Sequence, residues 1–175
     1  MGVETVESSY AWQLKLVDWQ LFLHLSFRAF LPSIEGRLAD CKRLVRRIAR
    51  AHELQCWQLA VVIRFENGDI TGRPHCHAVL KGIPGEGANM SSRFAMIHWW
   101  KEIAGIAIIN GYDRALPGVN YITEGLGYVD PATAYEVSKF GKADAIYISP
   151  MARMEFMRAR AFDFRPGYHQ GRVVC

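Results

Sequence analysis

The segment 73–80 reads RPHCHAVL and places two histidines, His75 and His77, two positions apart. Successive side chains of a strand point to opposite faces, so the two imidazoles are expected side by side, with Cys76 turned into apolar packing. Histidine is the commonest metal ligand among the side chains. The pair therefore predicts half of a metal site, and a chance pair on a surface is the competing interpretation.

A carboxylate that could complete the site precedes the histidines in the chain. Glu66 follows the apolar run 59–65, and residues 67–69 read NGD, which is typical of a turn. If this run and the histidine segment pair as a hairpin, Glu66 or Asp69 returns close to the two imidazoles. Two imidazoles and one carboxylate leave coordination positions open, as a catalytic divalent ion requires.

The composition indicates a globular protein with a mild positive charge. The 175 residues are half hydrophobic, so we expect one domain over residues 1–175 with a sizeable core. The formal charge of +4 favours an acidic partner. The four cysteines show no CxxC spacing, which is typical of a reduced cytoplasmic protein with buried thiols.

Several classes of segment are absent from the sequence. No run approaches 18 continuous apolar residues, and residues 1–9 carry no basic region of the secretory type, so we expect a cytoplasmic protein. No GxxxxGK[ST] stretch occurs either, so the chain has no phosphate-binding loop of a motor.

The first element that we expect to help position the histidines is the stretch 19–30. Its apolar residues alternate with others, which predicts a strand with His24 and Ser26 on the less buried face. A helix is predicted from Pro32 to about Glu53, because apolar residues recur there at helical spacing.

The other face of that helix is rich in cations. A charge run of this kind is usually a solvated helix face, and a stripe that tracks phosphates is the second interpretation. Under the second interpretation, we expect DNA contacts from four arginines of this helix, Arg43, Arg46, Arg47 and Arg50. We also expect a DNA contact from Arg73, which stands beside the histidines.

The rest of the chain completes an α+β pattern. We predict strands at 57–65, 74–81, 106–109, 119–129 and 145–148, and helices from Ser91 or Ser92 to about 105, from Asp130 to beyond 140, and over 150–162, with a partly mobile tail at 162–175. Two consecutive strands flanked by helices favour a mainly antiparallel central sheet covered by helices, of the ferredoxin-like or RRM-like kind.

Three passages together resemble the HUH endonuclease superfamily, specifically the rolling-circle replication initiator (Rep) proteins of plasmids and single-stranded DNA phages. The stretch 19–27 is similar to the family's first hydrophobic strand motif, residues 66–77 to its metal motif, and residues 135–142, YEVSKFGK, to its tyrosine helix. From the first to the last, the motifs span about two thirds of the chain, over residues 19–142, and they follow one another in the Rep order.

The resemblance implies a DNA nicking and joining enzyme with the HUH nuclease fold. A Mg²⁺ or Mn²⁺ ion would be held by His75, His77 and Glu66, and a tyrosine would attack the scissile phosphate. The products would be a 5′-phosphotyrosyl link and a free 3′-OH. The implied partners are the single-stranded or hairpin DNA of a replication origin and a host helicase acting in trans.

The tyrosine motif departs from the family pattern. Tyr135 and Lys139 are four positions apart, where similar proteins commonly have three, and Lys142 follows at the next turn. One Rep branch instead shows Glu-x-Ala/Ser-Lys-Tyr, which Glu136 to Phe140 matches except at the last position. Either Tyr135 is the nucleophile, or position 140 is its place and the chain is a Tyr-to-Phe inactive variant. The closer match favours position 140.

Two other classes of function compete with this interpretation. A non-catalytic RRM-like module that binds single-stranded nucleic acid would need exposed aromatic side chains at the centre of the sheet. A structural zinc domain would need four ligands closed around the ion.

Overall fold

The computed structural model of the protein describes residues 14–28, 33–67, 73–116, 118, 122 and 146–163. The helices are α1 (Ile34–Ala51), α2 (Met90–Ile103) and α3 (Pro150–Asp163). The strands are β1 (Leu21–Phe27), β2 (Ala60–Asn67), β3 (Pro74–Lys81), β4 (Gly105–Gly111) and β5 (Ile146–Ile148).

The five strands form one antiparallel sheet in the order β4-β1-β3-β2-β5. Apart from a short 3-10 helix at Cys56–Gln58, the elements from β1 to β4 run β1-α1-β2-β3-α2-β4, and β3 lies between β1 and β2, as in the ferredoxin-like fold. The fifth strand extends this sheet beyond β2. The predicted α+β class, with a mainly antiparallel sheet flanked by helices, is confirmed.

Each face of the sheet has its own apolar cluster. On one face, Leu25, Phe65 and Cys76 pack against residues of α1 and α2, among them Leu44 and Trp100. On the other face, a second cluster joins Val62 and Val79 of the sheet to Phe156 of α3 and to Trp19. The two clusters fix the alternation of side chains along β1, β2 and β3. They therefore determine which side chains point to the second face, the one that carries the second cluster.

Polar side chains cap the first two helices. Ser33 accepts a hydrogen bond from the backbone N–H of Gly36 at the start of α1. At the start of α2 the cap is Asn89, whose side-chain oxygen accepts from the N–H of Ser92 at 3.0 Å. The predicted cap at Ser91 or Ser92 is therefore wrong by two or three positions, because asparagine serves this role as well as serine does.

The prediction of a strand over 119–129 is wrong at Ile122, because this residue is helical. Ile122 is the one residue of that stretch that the structure describes. Asp69, the predicted helix over 130–142 with its tyrosine motif, and residues 164–175 of the predicted tail lie outside the described residues. Within the described ranges, no helix combines the length and the hydropathy needed to cross a bilayer.

Candidate metal centre

The β2–β3 hairpin brings a carboxylate to the histidine pair. Glu66 lies directly opposite His75 across the antiparallel ladder, and Arg64 lies opposite His77. Cys76 points to the other face, where its Sγ lies 3.7 Å from that of buried Cys41. The predicted alternation along residues 75–77 therefore matches the structure.

The three side chains converge on one small volume. Oε2 of Glu66 lies 3.3 Å from Nε2 of His75 and 3.5 Å from Nε2 of His77. One ligand atom from each residue falls within 4.8 Å of the others. Two nitrogens and one oxygen at this separation can hold a metal ion, which confirms a metal-capable group without identifying the metal.

Neighbouring groups fix the orientation of two of these side chains. Nδ1 of His75 lies 3.2 Å from the carbonyl oxygen of Arg73, which accepts its hydrogen when that nitrogen is protonated. The other ring nitrogen, Nε2, is the one that faces Glu66. Nε of Arg64 and Oε1 of Glu66 form an ion pair at 2.8 Å, so Oε2 faces the histidines. Outer contacts of this kind are common around metal ligands.

Electrostatics favour the protonation states that bind a cation. Burial lowers the pKa of His77 to about 4, helped by the neighbouring His24 and His75 and opposed by Glu66. For Glu66, burial acts to raise the pKa, but the hydrogen bond with His75 and the charge of Arg64 outweigh it and the pKa is lowered. At neutral pH His77 is therefore neutral and Glu66 ionised, as metal ligands must be.

A third histidine completes a ring cluster around the site. His24 of β1 pairs with His77 across the β1–β3 ladder, and its ring stacks on that of His75 with centroids 5.2 Å apart. The ring of Phe22 stacks on His77 at 5.8 Å. Burial, followed by the charge of His75, lowers the pKa of His24. His24 therefore adds a third imidazole to the immediate surroundings of the ligand group.

Sequence reasoning missed the roles of Arg64 and His24 at this site. It placed His24 on the correct face of β1 and considered it as a ligand or DNA contact, but favoured an ordinary sheet-face histidine. Arg64 had a detectable signal, because it stands two positions before Glu66 and therefore shares its strand face. The pairing of β1 with β3, on which the position of His24 depends, had no such local signal.

The donor set that the structure describes is one ligand short of a closed structural zinc site. Among the described residues, the group holds three ligands, Glu66, His75 and His77, whereas a structural zinc ion takes four. Cys41 and Cys76 lie on the opposite face of the sheet. Three protein ligands with open positions are the pattern of a catalytic ion.

The other predicted site residues divide into three groups. Arg73 lies at the edge of the metal centre, where its Nε donates to the carbonyl oxygen of Phe27 at 3.3 Å. The cationic residues of α1 lie on the far side of the sheet, so the structure does not bring them to the metal centre: Arg43, Arg46, Arg47 and Arg50. Those of the tyrosine motif are outside the described residues: Tyr135, Glu136, Lys139, Phe140 and Lys142.

Comparisons of the chain with protein-family models, with curated proteins and with solved structures found no match. Its function must therefore be inferred from its own residues and their geometry.

Proposed function

We propose that this protein is a metal-dependent endonuclease of the HUH Rep type. It would nick and rejoin single-stranded DNA at a replication origin through a 5′-phosphotyrosine intermediate, and so start rolling-circle replication. The observation that carries the proposal is the convergence of Glu66, His75 and His77 on one face of a ferredoxin-like sheet. The resemblance of the sequence to the Rep motifs supplies the reaction type.

The ion in this proposal is Mg²⁺ or Mn²⁺, held by Glu66, His75 and His77. When bound, such an ion polarises the scissile phosphate and balances the charge that develops on it. Arg64 holds the carboxylate of Glu66 in place, and the backbone of Arg73 orients His75. Arg73 itself, exposed beside the site, would contact a DNA phosphate.

The nucleophile in this proposal comes from the tyrosine motif. A free tyrosine has a pKa of about 10, so its attack needs a nearby cation or base. Lys139 and Lys142 follow Tyr135 at helical spacing and would supply that charge. If position 140 is the place of the nucleophile, Glu136 would lie one turn before it on the predicted helix and would assist water attack.

The alternative of an RRM-like binding module has less support. That class stacks bases on exposed aromatic rings at the sheet centre. In the part of the sheet that the structure describes, the centre of the second face holds His24, His75 and His77, and Phe22 is partly buried against His77. The exposed apolar side chains of this face, Ile106 and Ile108, are aliphatic.

A nicking assay tests the proposal. The chain and its Phe140→Tyr variant are incubated with a pool of labelled single-stranded and hairpin oligonucleotides and Mn²⁺, and a denaturing gel reports cleavage and covalent adducts. We expect an adduct from at least one of the two proteins, and its loss with EDTA or when His75→Ala is added. Binding of the oligonucleotides without any adduct from either protein would favour the binding module.

A further inference from the structure

A groove rich in arginine lies on the opposite side of the molecule from the metal centre. It encloses about 490 Å³ between the outer surfaces of α1 and α2. The lining consists of four arginines and an alanine of α1 and two apolar side chains of α2: Arg43, Arg46, Arg47, Arg50, Ala51, Trp99 and Ile103. The two helices cover the first face of the sheet, whereas the metal centre is on the second face. One phosphodiester therefore cannot contact both places.

The arginines form a continuous stripe along one side of α1. Positions 43, 46, 47 and 50 recur at the spacing of neighbours on a helix surface. All four side chains are exposed. Arg46 and Arg50 are separated by about 6 Å along the helix axis, so two guanidinium groups follow one another at a spacing suited to successive phosphates.

Acidic groups neutralise half of this stripe. Arg43 pairs with Asp40 at 3.3 Å, and Arg47 pairs with Glu102 at 2.5 Å. None of the ion pairs among the described residues involves Arg46 or Arg50. These two cations are therefore the ones that a bound anion would engage first.

An aromatic ring forms part of the groove wall. The guanidinium carbon of Arg47 lies 5.1 Å from the centroid of the Trp99 ring, over its face. Arginine binds phosphate with two parallel hydrogen bonds and stacks on flat π-systems, whereas lysine acts as a point charge. A stripe of arginines beside a tryptophan suits a polyanion that also carries flat rings.

We propose that this groove binds the phosphate backbone of a nucleic acid, as a second site independent of the metal centre. Arg46 and Arg50 would contact successive phosphates, while Arg47 and Trp99 would face the adjoining sugar or base. An acidic peptide offers charge but no flat base, so the tryptophan favours the nucleic acid. The inference does not depend on the proposed nuclease activity.

The test compares two charge-reversed variants in EDTA, where metal-dependent binding is absent. Arg46→Glu/Arg50→Glu changes the groove, and Lys42→Glu/Lys101→Glu makes the same change of charge on exposed residues of the same helices outside it. Binding of labelled single-stranded and duplex oligonucleotides is measured by fluorescence anisotropy between about 50 and 200 mM salt, after thermal unfolding shows that both variants fold.

We expect the groove variant to bind at least about tenfold more weakly than its control at low salt. Its logarithmic salt slope for single strands should be smaller by about 1.4, or about 0.7 for each of the two phosphates that it no longer neutralises. The ratio between the affinities for single-stranded and duplex oligonucleotides identifies the form of nucleic acid that the groove binds. Equal binding and equal slopes in the two variants would overturn the proposal. Unchanged oligonucleotide binding with reduced binding of polyglutamate would overturn it in favour of an acidic protein.

The same measurements in a His75→Ala/His77→Ala background separate the two sites. The effect of the groove variant should be undiminished there, because the groove and the metal centre share no residue. Loss of the effect in that background would contradict an independent site. Failure of the nicking assay, in contrast, leaves the groove proposal standing.

Discussion

Nε2 of His75 lies 3.3 Å from Oε2 of Glu66 because the two residues face each other across the β2–β3 ladder. A slip of one residue in this pairing would turn one of the partners to the opposite face of the sheet. The buried residues that alternate with them, Phe65 and Cys76, resist such a slip because it would expose them. The metal centre is therefore positioned by the apolar core beneath it.

We expect His75→Ala and His77→Ala each to abolish Mn²⁺ binding while the fold survives, because each removes a ligand atom from a group of three. The loss should exceed the roughly 10–100-fold effect of removing an outer contact. Glu66→Ala should weaken binding without abolishing it, since the two imidazoles remain. Isothermal titration calorimetry measures the affinity.

His98→Ala, which removes an exposed histidine of α2, is the control and should bind as before. Unchanged Mn²⁺ binding in either site variant would contradict the assignment.

Arg64→Met should raise the pKa of the Glu66 carboxyl group, because the charge of Arg64 is one of the causes that lower it. Metal binding should then fail at a higher pH in the variant than in the parent, since protons compete more strongly for the carboxylate. Titration of the carboxyl carbon by NMR in EDTA gives the pKa directly. Arg114→Met, which breaks an exposed pair with Asp18, should leave the titration of Glu66 unchanged. A pKa that falls or stays constant in Arg64→Met would contradict this prediction.

In EDTA, the free energy of unfolding should fall as the pH drops from about 6.5 towards 4. Burial lowers the pKa of His77 to about 4 in the folded protein, against an ordinary value of 6.5. Between these values the unfolded chain binds more protons than the folded one, so acid favours unfolding. The stabilisation is complete above pH 6.5 and is lost as the pH approaches 4. The pKa of His24 is also lowered, so its protonation likewise reduces the free energy of unfolding as the pH falls.

Urea unfolding at pH 7 and pH 5 measures this effect. We expect His77→Asn to lose less stability between the two values than the parent, because the group that takes up the proton is gone. The matched control is His98→Asn, which removes an exposed histidine and should lose as much as the parent. Equal losses in all three proteins would show that His77 does not carry the dependence.

Gly105→Ala should destabilise the fold by about 1–3 kcal/mol, the range for an overpacked core position. An added Cβ would lie 2.0 Å from the backbone carbonyl oxygen of Ser26 in β1, and a backbone atom cannot move aside cheaply. Gly111→Ala at the other end of the same strand is the control, since its nearest heavy atom would be 3.9 Å away in a flexible arginine. Chemical denaturation of the two variants compares them. A stability of Gly105→Ala equal to that of Gly111→Ala would rule out the close approach.

The alternation along single strands could be predicted well from the sequence. Strand β3 has the predicted bounds, Pro74–Lys81, and the faces of His75, Cys76 and His77 follow from the period of two. The alternation of β1 likewise places His24 on the second face. These features could be predicted because they depend only on the order of residues within one strand.

Features that depend on distant residues could not be predicted in the same way. The sequence left Glu66 and Asp69 as candidates, and only the register shows that Glu66 lies opposite His75. The side of the sheet that α1 covers depends on the handedness of the β1-α1-β2 connection and on which face of each strand is apolar. The helical spacing of the α1 arginines therefore could not show that they lie on the other side of the sheet from the metal centre.

The last prediction identifies the nucleophile. If position 140 is its place, the chain should bind its DNA but cut poorly or not at all, and Phe140→Tyr should create nicking with a covalent protein–DNA adduct. The substitution adds one hydroxyl to the end of an aromatic ring, so packing changes little while a nucleophile appears. If Tyr135 is the nucleophile, the chain should already form the adduct and Tyr135→Phe should remove it.

A labelled single-stranded oligonucleotide, Mn²⁺ and a denaturing gel separate the two cases. The double variant Tyr135→Phe/Phe140→Tyr is decisive, because it retains the adduct only if position 140 carries the attack. Adding His75→Ala to the active variant is the control, and it should remove the adduct because the ligand group loses one of its three donors. An adduct that persists in Tyr135→Phe with Phe140 unchanged would exclude both positions and contradict the assignment of residues 135–142 as the tyrosine motif.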